Sequence, residues 1–397
     1  MGGGGGASGE HDISTRQAFW HCMSLVLGLG TLTVPFTLHR LGWFAGLCIL
    51  ASLAWLSSHT SKLLCRCVDA LEGAGLPAAS GPSRAVKTYS DIGEAAYGLA
   101  GRRAVDVVLY VDLVASSALF LVFIATNLES LFPGVGLATE RWIAVCAASL
   151  VPTVLMRLDG LASLSAFGSY VMVTMVLAIV TTLFLASDAA LPAPSEYRFA
   201  RFETQAIGNQ VFAFAMHGTL LTIYQDMKRP QDAERMFDRV YLTGFLLKFI
   251  VGASGYFLFA GRVSDQITLD LPSPAVRVFI TLAVTLKKWL TYALPLEPVA
   301  RALEDAPLKL PRAASRSGLV LLTVLIALWL PHFGLMQSLI GSLCAGCLVL
   351  VFPVSFYLRI YGSSLAWRER AVYLALLAVS CVLVWLAAVA SVREALQ

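Results

Sequence analysis

Long apolar runs separated by short polar or Pro/Gly-rich turns dominate the pattern of this 397-residue chain. A helix needs roughly 20 apolar residues to cross the hydrocarbon of a bilayer. Runs of that kind fall near 17–39, 42–68, 104–130, 141–157, 165–186, 206–226, 239–260, 275–303, 317–331, 334–360 and 370–391, which predicts an all-α integral membrane protein with about 11 transmembrane helices. The Gly-rich stretch from Met1 to Asp12 is too short and polar for a signal peptide and reads as a tail, so the first run itself must target the membrane. Gly73 to Arg84 reads as a polar linker, and Ser90 as the cap of a short surface helix ending at Gly98.

Composition agrees with that pattern and removes the alternatives. The chain is 57% hydrophobic and 14% charged, with a mean hydropathy of +0.74, so it lacks the polar surface of a water-soluble domain. Most of the 29 basic residues fall in the loops on one side, among them Lys62, Arg66, Arg102, Lys228, Arg229, Arg235 and Arg312. Positive loops stay in the cytosol, which predicts a cytosolic N-terminus and, with an odd number of spans, an extracytosolic C-terminus. The net charge of +4 follows from this asymmetry; no basic stripe with interleaved aromatics points to nucleic acid. Cys344-Ala345-Gly346-Cys347 sits among small residues inside an apolar run, where helix packing outweighs a metal or redox role. Cys65 and Cys67, at a predicted cytosolic helix end, are inert or palmitoylated. No metal cluster, activated nucleophile or nucleotide loop occurs in the aqueous segments, and neither an enzyme nor a cofactor is expected.

Two runs carry signs of interruption. The first contains Leu27-Gly28-Leu29-Gly30-Thr31-Leu32, with Pro35 beyond; two glycines so close weaken a helix. Glycine in membrane helices also serves close packing, which is the competing reading. The sixth contains Ala213-Phe214-Ala215-Met216-His217-Gly218-Thr219. Spans one and six are equivalent positions in carriers built from two inverted five-helix repeats, whose broken helices expose main-chain groups at the bilayer midplane. That reading divides the chain into a flexible cytosolic tail at 1–16, a first repeat at 17–186, an extracytosolic loop at 187–204, a second repeat at 205–360, and an eleventh helix with the C-terminus at 361–397.

The chain resembles the amino acid/auxin permease family, especially plant and fungal vacuolar amino acid transporters, from about Ala18 to Val389. The resemblance rests on Gly28 to Pro35 with Leu41-Gly42-Trp43, Tyr89 to Gly98, Asn127-Leu128 before Leu131-Phe132-Pro133, His217, Ile223-Tyr224 with Met227 to Pro230, Gly255 to Phe259, Ser264 to Pro272, Tyr292-Ala293-Leu294, and Pro331 to Gly334 with Leu339 to Ser342. It implies the broken-helix fold of the bacterial leucine transporter plus one helix. It also implies amino acid movement driven by a proton or other cation gradient, in a vacuolar or lysosomal membrane or, alternatively, the plasma membrane, by a monomer. Carried onto this chain, Gly28, Leu29, Gly30, Thr31 and Leu32 would bind the substrate with Ala213, Phe214, Ala215, Met216 and Asn127. Met216 departs from the small residue usual before His217, and Thr126 from the usual Asp before Asn127. Asp270 stands where Asn is usual. In span eight Thr291 takes the place of the family's lysine, while Lys287 lies one turn earlier on the same face.

Ionisable groups at bilayer depth are costly, about 2.5–3.5 kcal/mol on a lenient scale. His217 can couple protons or gate because imidazole titrates near neutral pH; the bland reading is a neutral, hydrogen-bonded histidine. Lys287 or Lys288 can act as a fixed cation near the first break or snorkel to the interface. Glu297, between Pro295 and Pro298, can carry a proton, pair with a lysine or be solvated, and Asp112 can pair with Lys248. The expected function is proton-coupled symport of small or medium neutral amino acids, against two rivals: a sensor that binds without turnover, and an uncoupled facilitator or exchanger.

Overall fold

The computed structural model describes residues 13–73, 88–155, 173–182, 185, 192–305 and 311–397. Residues 1–12 of the expected tail at 1–16, nearly all of the Gly73 to Arg84 linker and the start of the fifth run lie outside the described residues, while Thr15 and Arg16 already belong to the first helix. Within these limits the chain is helical, with no named strand and one isolated parallel bridge between Ile13 and Met227.

The elements are α1 Thr15–Val26, α2 Val34–Leu41, α3 Trp43–Gly73, α4 Tyr89–Leu131 and α5 Thr139–Leu155, then α6 Val173–Thr182, α7 Gln205–Ala213, α8 His217–Asp226 and α9 Ala233–Phe259. They continue as α10 Pro274–Thr291, α11 Ala293–Glu304, α12 Arg312–Trp329, α13 Phe333–Ile340, α14 Phe352–Tyr361 and α15 Trp367–Ala395. Six stretches are long and apolar enough to cross a membrane uncut, including α3, α4 and α15. The first and sixth expected spans miss that description because each is divided, into α1 with α2 and α7 with α8. Two π-helical turns, Gly341–Ala345 and Cys347–Val351, join α13 to α14 and lie against α7 and α15. Such bulges interrupt the regular ladder and cluster at functional positions.

One local reading needs correction. The cap of α4 is Thr88: its hydroxyl accepts from the Asp91 N–H while the Asp91 carboxylate accepts from the Thr88 N–H, a reciprocal capping box. Ser90 instead donates to Asp106. The first part of α4 then turns at Tyr97 and Gly98, where Gly98 has φ 64°.

Side chains sort by environment. Exposed Trp55, Trp329, Trp385 and Val379 cover the outside, as a hydrocarbon solvent requires, while Thr33, Thr37, Asn209, Gln210 and Gln337 are fully buried inside. The sorting places the polar interior around the two divided helices.

Candidate functional site

At the first break, α1 ends at Val26, Leu29–Thr31 form a single 3-10 turn, and α2 restarts at Val34. At the second, α7 ends at Ala213, Phe214 to Met216 are not helical, and α8 begins at His217. Neither α2 nor α8 has a side-chain cap, so each presents the positive end of a half-helix to the break. The breaks touch: a Cβ at residue 30 would collide with the Cα and Cβ of Ala213. Only glycine permits that approach.

A polar frame holds the first break open. The Gln337 amide donates to Thr33 Oγ1 at 2.7 Å, and Thr33 donates to the Gly30 carbonyl at 3.1 Å. The Ile267 N–H donates to the Leu32 carbonyl at 3.2 Å. Gln210 ties α7 to α2 and α3 through Thr37 Oγ1 at 3.2 Å and the Gly46 carbonyl at 3.3 Å. Several polar atoms in this frame, including both side-chain ends of Asn209, Thr31 Oγ1 and Gln337 Oε1, have no protein partner among the described residues.

The cation at this site is Lys248 on α9. Its side chain is fully buried, Nζ donates to the Val26 carbonyl at 2.5 Å, and the ammonium lies 4.8 Å from the centroid of the Phe214 ring. It therefore reaches both breaks at once, and the pairing with Asp112 considered from the sequence does not form. Lys288 lies over the Phe120 ring at 4.0 Å, facing α4. Lys287 is buried, and its carbonyl accepts from Thr291 Oγ1 at 2.9 Å within α10.

His217 is the first residue of α8. Its Nε2 lies 2.9 Å from Thr60 Oγ1 and 3.2 Å from Ser61 Oγ, and Ser61 continues to the Tyr241 hydroxyl at 3.0 Å. The imidazole thus links α8 to α3 and α9. Phe214 and Met216 are buried beside it. Asn127 joins α4 to α10 by donating to Thr285 Oγ1 at 2.8 Å, a bond that reaches neither break. Glu297 pairs with Arg316 at 2.7 Å and Arg301 at 2.8 Å, not with a lysine of span eight. Arg316 also pairs with Glu304 at 2.9 Å and donates to the Val154 carbonyl, so this cluster braces α11, α12 and α5 away from the breaks.

Sequence reasoning missed the framing amides Asn209, Gln210 and Gln337 and placed Lys248 in the wrong partnership. The available signal was Gly244-x-x-x-Lys248-x-x-x-Gly252, in which smooth flanking turns carry a single cation. Beyond α8, Cys65, Asp69, Tyr224, Pro230, Gln231, Ala233 and Glu234 line a cavity of about 350 Å³, with the Tyr224 hydroxyl donating to Asp69 at 2.5 Å.

A model of the family described as "Transmembrane amino acid transporter protein" matches residues 11–395. The chain is 31% identical to Amino acid transporter AVT1B of Arabidopsis thaliana over 88% of its own length and 65% of that protein's, so it spans under two thirds of this relative. It is 30% identical to Amino acid transporter AVT1I of the same plant over 87% of this chain and 85% of the relative. The human Vesicular inhibitory amino acid transporter is 25% identical over 92% of this chain and 74% of its own. Two solved structures share the fold. Mhp1, a nucleobase-cation-symport-1 family transporter in a closed conformation with bromovinylhydantoin bound, aligns with a TM-score of 0.57 at 13% identity, over 97% of this chain and 92% of its own. MhsT in complex with L-phenylalanine aligns at 0.55 and 12%, over 94% and 99%. With the family model covering nearly the whole sequence, the chain belongs to the transmembrane amino acid transporter family, as a multi-pass membrane protein and not an enzyme.

Proposed function

We propose that this chain is a secondary carrier that moves small or medium neutral amino acids by alternating access, coupled to a proton gradient, in an intracellular membrane of the vacuolar or lysosomal kind. In this reading it crosses the bilayer eleven times as two inverted five-helix repeats plus α15, with α1 starting from the cytosol. The observation that carries the proposal is the pair of divided helices meeting at Gly30 and Ala213. A zwitterion needs donors for its carboxylate and acceptors for its amine. The uncapped starts of α2 and α8 offer the former, and main-chain carbonyls at the interrupted stretch of span one, each with a second lone pair, offer the latter.

Phe214 and Met216, buried where the substrate side chain would lie, set its size. Asn127, Lys287, Thr291 and Glu297 take supporting places in spans three and eight. His217 acts as the gate, because its bonds to Thr60 and Ser61 hold α8 against α3. The cavity beyond Tyr224 is the cytosolic approach. The relatives named as amino acid transporters, and the vesicular one among them, support both the cargo and the compartment.

The test is uptake of a broad amino acid panel into proteoliposomes with and without an imposed pH gradient. Gradient-dependent accumulation is expected, and none across the panel refutes the carrier. Binding without flux would assign a sensor's role, and uptake indifferent to pH that of a facilitator or exchanger. His217→Ala should lose uptake; normal pH-dependent uptake in that variant clears the residue of any gating part.

A further inference from the structure

Resting on the carrier reading above, we infer that Lys248 is a tethered cation: its ammonium latches the two helix breaks together and is the group that takes up and gives back the driving proton. The geometry is specific. Lys248 stands on α9 with Gly244 one turn before it and Gly252 one turn after, and all three face span one. A Cβ at 244 would run into the Val26 side chain, and one at 252 into Val34 and Leu38. The two glycines thus bring the α9 backbone close to the divided helix on both sides of the break. At the centre, the lysine bonds the carbonyl at the negative end of α1 while its charge faces the ring of Phe214 in the other break. A carbonyl at a half-helix C-terminus is where a coupling metal cation would be held. Here the chain supplies its own charge.

Nothing else on the packed elements competes for that ammonium. The buried titratable groups on α1 and α9 besides Lys248 are Cys22, Tyr241 and Tyr256, and Tyr241 bonds Ser61 and through it His217. On α2, Arg40 is committed to Glu203 and Glu394, and His39 packs edge-on against Tyr256. On α3, Lys62 pairs with Asp238 and Arg66 with Glu234, while His59 stacks between Trp55 and Tyr373. No described carboxylate lies within ion-pair distance of Nζ. An ammonium held only by a carbonyl and a ring is poised to lose its proton when either contact opens. In the coupled cycle the contact with Val26 opens, one N–H bond of Nζ breaks, and its proton passes to water at one membrane face. The amine regains a proton from water at the opposite face and relatches.

The experiment uses the full chain in proteoliposomes and separates two readouts: counterflow of labelled amino acid without any ion gradient, and accumulation driven by a pH gradient. Wild type should do both, equally with sodium or choline as the bulk cation. Sodium stimulation of accumulation overturns the tethered cation, whatever the mutants do. Lys248→Met should lose accumulation by a larger factor than it loses counterflow. Lys248→Arg, which keeps the charge but cannot release its proton, should also lose accumulation, and it decides the matter if the methionine variant fails to fold. Accumulation retained in a folded variant of either kind overturns the inference while leaving the carrier intact. Absence of both readouts in wild type overturns the carrier reading itself.

Discussion

At the scale of single residues, the site depends on one close approach. Residue 30 has no room for a side chain, because the backbone of Ala213 occupies the place of its Cβ. Gly30→Ala is therefore expected to push the two breaks apart. Overpacking of this kind costs about 1–3 kcal/mol, enough to lower the melting temperature measurably and to reduce uptake further than stability alone explains, since the displaced groups are the proposed ligands. A melting curve and an uptake rate that both match wild type would show that the contact is not needed. The glycine pair and the histidine made both breaks legible in the sequence, because glycine, proline and a buried ionisable group are local features. Lys248 was visible as a charge but not as a neighbour of Val26: its partner lies 222 positions away, and the glycines at 244 and 252 mark a closely packed face without naming what packs on it. Gln210 and Gln337 were silent for the same reason, being ordinary amides until the fold turns them inward.

At the scale of elements, helix existence was legible and helix closure was not. Apolar runs located α3, α4, α9, α12 and α15, but the cap of α4, read at Ser90 from the sequence, lies two residues earlier at Thr88, whose hydroxyl meets the Asp91 N–H. The loop between α9 and α10 shows what a departure from the family pattern does. Asp270, standing where Asn is usual, accepts from the Ser264 N–H at 2.7 Å and its hydroxyl at 2.6 Å, and Asp265 accepts from the Gly334 N–H at 2.8 Å. Burial pushes both carboxyls above the ordinary range, against the opposing pull of those hydrogen bonds. A carboxyl held above its unfolded pKa binds its proton more tightly in the closed loop than in the opened one. Closure is then most favoured below the ordinary carboxyl pKa and weakens as pH rises from there through the raised one. Amide exchange across 260–273, corrected for intrinsic rates, should be slower at mildly acidic than at neutral pH, and Asp265→Asn with Asp270→Asn should flatten the difference. Greater protection at neutral pH would reverse the assignment. On the proposed orientation this loop faces the lumen, where acidity would tighten it.

At the scale of the whole molecule, both ends of the polar interior are closed. On the face where α2 ends, Arg40 bridges Glu203 and Glu394, Arg201 joins Glu203 at 2.6 Å, and the segment 198–201 pairs its backbone with Leu41, Trp43 and Phe44. On the opposite face, Arg66 meets Glu234, Lys62 meets Asp238, and Ile13 is bonded to Asp226 and Lys228. On the carrier reading proposed above, one of these closures opens at a time, so each is only marginally stable. Partly exposed ion pairs contribute up to about 1 kcal/mol each, and removing Arg40 should therefore shift the balance toward the form open on its own face by about fivefold. The fully buried Ala206, one turn into α7 from Glu203, reports on this when replaced by cysteine. A membrane-impermeant maleimide applied from that face should label Ala206→Cys slowly, and several times faster once Arg40→Ala is added. The opposite-face variant Arg66→Ala should slow the labelling, because loosening the other closure draws population away from the form open at Arg40. Labelling unchanged by either substitution would mean that these ion pairs decorate the surface and that the closures are held by packing alone.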